Sequence, residues 1–170
     1  MSTTPDAAQA SQASAALNEE FTALMPELLE PLTEAADMHY KRVREESCLR
    51  AEEDDPQTRT SWIGWAVGPV ANTAAADRAL DSLDSQLAND GWEKKNEVTS
   101  SDDHPGSVRT LFYRKGELGL SADLQRSPHR LILDINLSSS CADQPVEHRM
   151  QRSELDPGYG KNSQFYDDWK

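Results

Sequence analysis

Side chains equipped for chemistry are few and scattered among the 170 residues. There are two cysteines, Cys48 and Cys141, and four histidines, His39, His104, His129 and His148. A cysteine pair can form a disulfide, help bind a soft metal or supply a thiolate nucleophile. A structural metal site needs further ligands at short spacing, and none of the histidines has a second histidine or a cysteine at such a distance. Asp102, Asp103 and His104 stand together and could touch a cation. Their setting is a turn, however, where aspartate is favoured because its side chain bonds local backbone. Asp77, Asp81 and Asp84 fall on one line of a helix, but the glycine and closing glutamate of a calcium loop are missing, so they read as a solvated face. Neither a Gly-x-Ser-x-Gly elbow nor a phosphate-cradling glycine loop occurs. Carboxylate pairs for acid–base work would be invisible among 30 acidic residues. No catalytic, cofactor-binding or metal-ligating residue is therefore assigned.

The cysteines are better read as a staple. They bracket everything in the chain that looks foldable, and a bridge between them would close a loop of about 94 residues, a constraint that contributes roughly 4 to 5 kcal/mol in the chain-entropy view. The other reading is two buried free thiols, since cysteine is among the most buried residue types. If the bridge forms, it predicts Cα atoms about 4.4 to 6.8 Å apart and an oxidising compartment.

The elements that would carry these residues can be read from periodicity. The opening MSTTPDAAQASQASAAL is low-complexity and reads as a flexible tether over residues 1–16. Leu17 to Met25 can begin a helix, and Pro26 suits the first turn of a second one. Leu29, Leu32, Ala36, Tyr40 and Val43 recur at spacings of three and four, which predicts that this helix runs to about Ser47, next to Cys48. A first strand, Thr60 to Val67, places Trp62 and Trp65 on opposite faces. One of the two belongs in the core and the other covers a second layer or is exposed. Asn72 or Thr73 can cap a helix whose stripe Ala76, Leu80, Leu83 and Leu87 is the clearest helical pattern in the chain. Gly91 follows it at the position that favours a left-handed residue.

Trp92 starts a second strand. Val108 to Lys115, Leu118 to Leu124 and Leu131 to about Ser138 then alternate as hairpin strands, with a tight reversal at Gly116. The expected fold is α+β, a mainly antiparallel four- or five-stranded sheet with two helices packed on one face, formed by residues 17–141 as a single domain. Residues 142–170 make an irregular C-terminal segment carrying Tyr159, Phe165, Tyr166 and Trp169. It either docks back over the sheet or offers a contact surface. Trp62, Trp65 and these four aromatics form the candidate contact set.

The formal charge of −13 repels phosphate backbones, so nucleic acid is excluded as a partner, as is direct binding to an anionic membrane surface. A protein partner, basic in character, is favoured, although such a charge also serves solubility. No stretch approaches the ~20 apolar residues of a membrane span, and Met1-Ser2-Thr3-Thr4 lacks the features of a signal peptide.

The tether, the helix ending at Asp90-Gly91-Trp92, the hairpin strands and the closing Ser138-Ser139-Ser140-Cys141 resemble the small lipoproteins of actinobacteria, the LppA-like group among them. The resemblance covers about residues 17–141. It implies an extracytoplasmic domain, lipid-anchored to the cell membrane through a signal and a cysteine that this chain does not carry, with no catalytic residues to transfer and no cofactor. Three functions follow as expectations: a non-enzymatic binding domain of the cell envelope; an acidic inhibitor or immunity protein against a basic secreted toxin or hydrolase; and a hydrolase with an unrecognised carboxylate site.

Overall fold

A computed structural model of the chain describes residues 5–101 and 103–168. Helix α1 spans Ala7–Leu29, and Asp6 opens it with a capping box shared with Gln9. The tether expected over residues 1–16 is thus helical from Ala7 onward, and residues 1–4 lie outside the described part. Alanine and glutamine are good helix formers, and the inward positions Ala10, Ser14, Phe21, Met25 and Leu28 are buried at spacings that keep one face on the sheet. Pro26 does not restart a helix as expected but sits inside α1. Pro31 lies in a short 3-10 turn, Glu30–Leu32, in which the helical run ends.

The predicted helix through Ser47 is a correction. Strand β1 occupies His39–Ser47 instead, hydrogen-bonded to β2, Arg59–Val70, from His39 opposite Val67 to Ser47 opposite Thr60. Spacings of three and four at Ala36, Tyr40 and Val43 fit a helix, but the alternating burial of Val43 and Glu45 belongs to a strand, and cross-strand pairing overrides a weak local period.

The remaining order is α2 (Thr73–Asn89), β3 (Glu93–Thr99), β4 (Gly106–Lys115), β5 (Leu118–Arg126), β6 (Leu131–Ser138) and β7 (Ala142–Asp143). One antiparallel sheet follows the path β1-β2-β6-β5-β4-β3, with β7 added beside the start of β2. Its seven strands exceed the four or five expected because β1 forms where the local spacing predicts helix and β7 is only two residues long. The α+β class, the antiparallel sheet and the two helices stand as expected.

Both helices cover one face of the sheet. Leu80, Leu83 and Leu87 of α2 and Phe21, Met25 and Leu28 of α1 meet Trp62, Leu111, Leu120, Leu124, Leu133, Ile135 and Leu137 in a single core. Asn72 accepts a hydrogen bond from the Ala75 backbone at 2.8 Å as the N-cap of α2, and Gly91 beyond its end has φ +81°. Gly64 lets α1 approach: a Cβ there would stand 2.5 Å from the Met25 sulfur.

Cys48 and Cys141 are bonded, with Cα atoms 6.3 Å apart. Thr60 of β2 pairs with Ser47 on one side and Ala142 on the other, so the bridge straps the start of β2 between its neighbours. It begins at the end of a strand, not of the expected helix.

Candidate binding cleft

Behind β1 the C-terminal segment docks onto the sheet edge rather than extending into solvent. The Glu45 N–H donates to the Gln151 carbonyl and the Ser153 N–H to the Val43 carbonyl, each at 2.9 Å. This return brings together side chains from four parts of the chain around one carboxylate. Glu45 accepts from Ser14 Oγ at 2.6 Å, from the Gln151 N–H at 3.2 Å, and from the Thr60 hydroxyl. His148 Nε2 lies 2.7 Å from its Oε1, and the side chains of this pair are each 1% exposed. The Trp62 indole N–H donates to Ser14 Oγ at 3.1 Å.

Serine, histidine and glutamate in one cluster evoke nucleophilic catalysis, but the geometry opposes it. Ser14 bonds to the carboxylate and not to the imidazole, and its residue is 2% exposed. The arrangement satisfies a buried carboxylate with several donors, as burial of a polar group demands. Sequence reasoning missed it because Glu45 and His148 are 103 positions apart. The one available signal was an acidic residue two positions after Val43, on the inward face of a strand.

A second set of contacts pins the tail. Arg152 donates through Nε and Nη2 to Asp168 at 2.7 to 2.9 Å, and its guanidinium lies 4.6 Å from the centre of the Tyr166 ring. The Tyr166 hydroxyl donates to the Glu45 carbonyl at 2.9 Å. Burial, with the Glu46 and Asp156 carboxylates adding, pushes the Tyr166 phenol up to about 12 against the opposing arginines. Burial also opposes ionisation of Asp168, yet the Arg152 guanidinium and the Gly160 N–H outweigh it and hold the carboxyl below its ordinary range.

Next to the disulfide, the loop after β1 and the docked tail enclose an open cleft of about 760 Å³. Its larger apolar side chains include Leu49, Val146 and Phe165, the last two 53% and 37% exposed. Glu53, Asp54, Asp55 and Glu147 rim it. Gln57 Nε2 donates to the Val146 carbonyl at 2.8 Å and ties the two walls together. Asp55 is the one residue other than glycine with positive φ among the described residues, at +58°, a conformation that aspartate tolerates better than most.

The candidate contact set is divided by the fold. Trp62 is 1% exposed and is removed from it as a core residue. Trp65 lies on the helix-free face of the sheet, half-buried, with its indole N–H donating to Asp134 at 3.0 Å and Arg42 stacked on its ring at 5.4 Å. Burial and the neighbouring Asp123 raise the Asp134 carboxyl above its usual range, against the Trp65 hydrogen bond. Phe165 lines the cleft, its neighbour Tyr166 is a half-buried anchor of the tail, and Tyr159, 46% exposed, lies apart beside α1. Trp169 lies outside the described residues.

The aspartates on α2 are not a bare solvated face. Arg109 of β4 bonds Asp77 at 3.3 Å and Asp81 at 2.8 Å, and Lys94 bonds Asp84 at 3.1 Å. Asp102 lies outside the described residues, while Asp103 and His104 are exposed in the β3–β4 turn. His39 pairs with Asp37 at 3.2 Å on the surface and His129 is exposed. Among the described residues no three histidine, cysteine or acidic side chains converge as metal ligands, and no helix is long and apolar enough to cross a membrane. In comparisons with known proteins, no family model, curated protein or solved structure matches the chain.

Proposed function

We propose that this chain is the extracytoplasmic, non-enzymatic binding domain of a cell-envelope lipoprotein, held to the membrane only through a lipid anchor. The observation that carries the reading is the Cys48–Cys141 bridge, whose Cys48 stands between Ser47 and Leu49 of the cleft wall. Structural disulfides persist in oxidising compartments and are rare in a reducing cytosol. A bridge there also ties the start of the β1 loop to the β6–β7 connection, which limits the motion of one cleft wall before a ligand binds. The packed Glu45–His148–Ser14 cluster supports a binding role, because its reactive atoms are occupied and screened from substrate.

A second reading, an acidic inhibitor or immunity protein against a basic toxin or hydrolase, is favoured by one feature: the acidic groups form a concave, aromatic-edged rim at this cleft. Maleimide labelling of the native protein in cells tests the common premise. Protection of both cysteines until a reductant is added, in an envelope fraction, is the expected result. Two free thiols in a cytosolic fraction would overturn the proposal.

A further inference from the structure

We infer that the cleft takes an extended, positively charged peptide segment of a partner protein, with an apolar side chain seated between Val146 and Phe165. The inference rests on the binding reading above and names the partner of that same site. Charge and apolar surface meet at this cleft. Glu53, Asp54, Asp55 and Glu147 have no salt-bridge partner among the described residues, whereas the α2 aspartates are matched by Arg109 and Lys94. Two arginines also line the cleft. Arg149 turns its guanidinium onto the Gln164 and Tyr166 carbonyls, each at 2.7 Å, and His148 points its Nε2 inward to Glu45. Bonds to neutral carbonyls leave Arg149 charged, so Arg50 and Arg149 stand against four carboxylates and the lining keeps an acidic excess.

Two of the five large hydrophobic side chains left exposed among the described residues, Val146 and Phe165, sit within that rim. An apolar centre ringed by polar groups is the anatomy of a protein-recognition site. The excess of acidic groups selects a cationic occupant and speeds its encounter. An anionic ligand would meet the same field as repulsion. The two walls are tied directly by the Gln57–Val146 hydrogen bond, and the disulfide anchors the chain beside Ser47 and Leu49, so less ordering accompanies binding.

The test is fluorescence anisotropy on the full chain with three labelled ten-residue peptides: alternating Lys and Leu, alternating Lys and Ser, and alternating Glu and Leu. The Lys/Leu peptide should bind roughly tenfold or more tighter than either of the others, and more weakly as salt rises. Glu53→Gln/Asp54→Asn/Glu147→Gln should lower its affinity about tenfold. Phe165→Ala should do likewise, and the charge-matched control Glu27→Gln/Glu30→Gln/Glu34→Gln on the α1 side should leave it unchanged. Equal losses in the two triple variants would reduce the effect to general attraction by an acidic protein and overturn the inference. Binding of the Glu/Leu peptide at a site lost in Phe165→Ala would overturn the cationic partner while leaving a binding domain. No binding by any peptide would overturn the inference, and turnover of general hydrolase substrates would overturn the non-enzymatic reading with it.

Discussion

Glu45 and His148 meet at 2.7 Å with both side chains 1% exposed, and around that contact the N-terminal helix, the first two strands and the C-terminal segment converge. Ser14 comes from α1, Thr60 from β2 and Gln151 from the tail. The tail is consequently part of the fold. Removing Glu45 strips His148, Ser14 and Thr60 of the acceptor that they share, which costs about 3 to 5 kcal/mol, whereas removing His148 leaves Glu45 its other donors. In urea unfolding Glu45→Ala should fall at or just below that range, and His148→Ala should cost less, about 1 to 3 kcal/mol. In the double variant the loss should be clearly smaller than the sum of the two. Strict additivity would mean that the contact contributes nothing.

The bridge between Cys48 and Cys141 closes most of the domain into a loop. Replacing both by serine should lower stability by about 2 to 5 kcal/mol, and a reductant should reproduce the loss in the native chain. Comparing denaturant midpoints of oxidised, reduced and doubly substituted protein checks this. A reduced protein as stable as the oxidised one would contradict it.

Two aspartates should move stability with pH in opposite directions. The folded carboxyl of Asp168 is held below its ordinary value, so its contribution is present above about pH 4 and is lost as pH falls through the lowered folded value. Asp168→Asn should therefore flatten the acid limb of the stability curve and weaken the protein at neutral pH. For Asp134 the folded value is raised, so stability falls as pH rises from the unfolded value, near 3.9, through the folded one. Asp134→Asn should raise the thermal midpoint at neutral pH, and a decrease there would refute the assignment.

Tyr166 should titrate late. With its phenol pushed up to about 12, stability should decline above pH 10, where the unfolded tyrosine ionises first. Ultraviolet titration of the native protein and of Tyr166→Phe should differ by one late-ionising tyrosine. A difference in the ordinary range near 10 would show the ring to be exposed.

Glycines in the sheet should differ sharply in tolerance. A Cβ at Gly68 would stand 2.6 Å from the Asp37 backbone carbonyl, which cannot swing aside, whereas at Gly119 its nearest neighbour is Ser138 Oγ at 3.5 Å. Gly68→Ala should cost about 1 to 3 kcal/mol as overpacking, and Gly119→Ala should be neutral or slightly stabilising. Chemical denaturation of the two variants makes the comparison.

The sequence by itself determined the strongly periodic parts. Leu80, Leu83 and Leu87 mark α2, the alternations of Leu118 to Leu124 and Leu131 to Leu137 mark β5 and β6, and Gly91 marks the end of a helix, because each pattern is imposed by the geometry of the element that it builds. The cysteines could be paired because there are only two. Tertiary structure alone decided the rest. Residues 39–47 became a strand because β2 supplies hydrogen bonds on one side and the tail on the other, and no local period records such partners. Residues 7–16 became helix because Ala10 and Ser14 found a surface to bury against, which low-complexity composition does not announce. The cleft assembles Glu53, Val146 and Phe165 from distant segments. Its apolar centre and acidic rim exist only once the disulfide and the returning tail have brought those segments side by side, since contacts between remote residues leave no spacing in the chain to read.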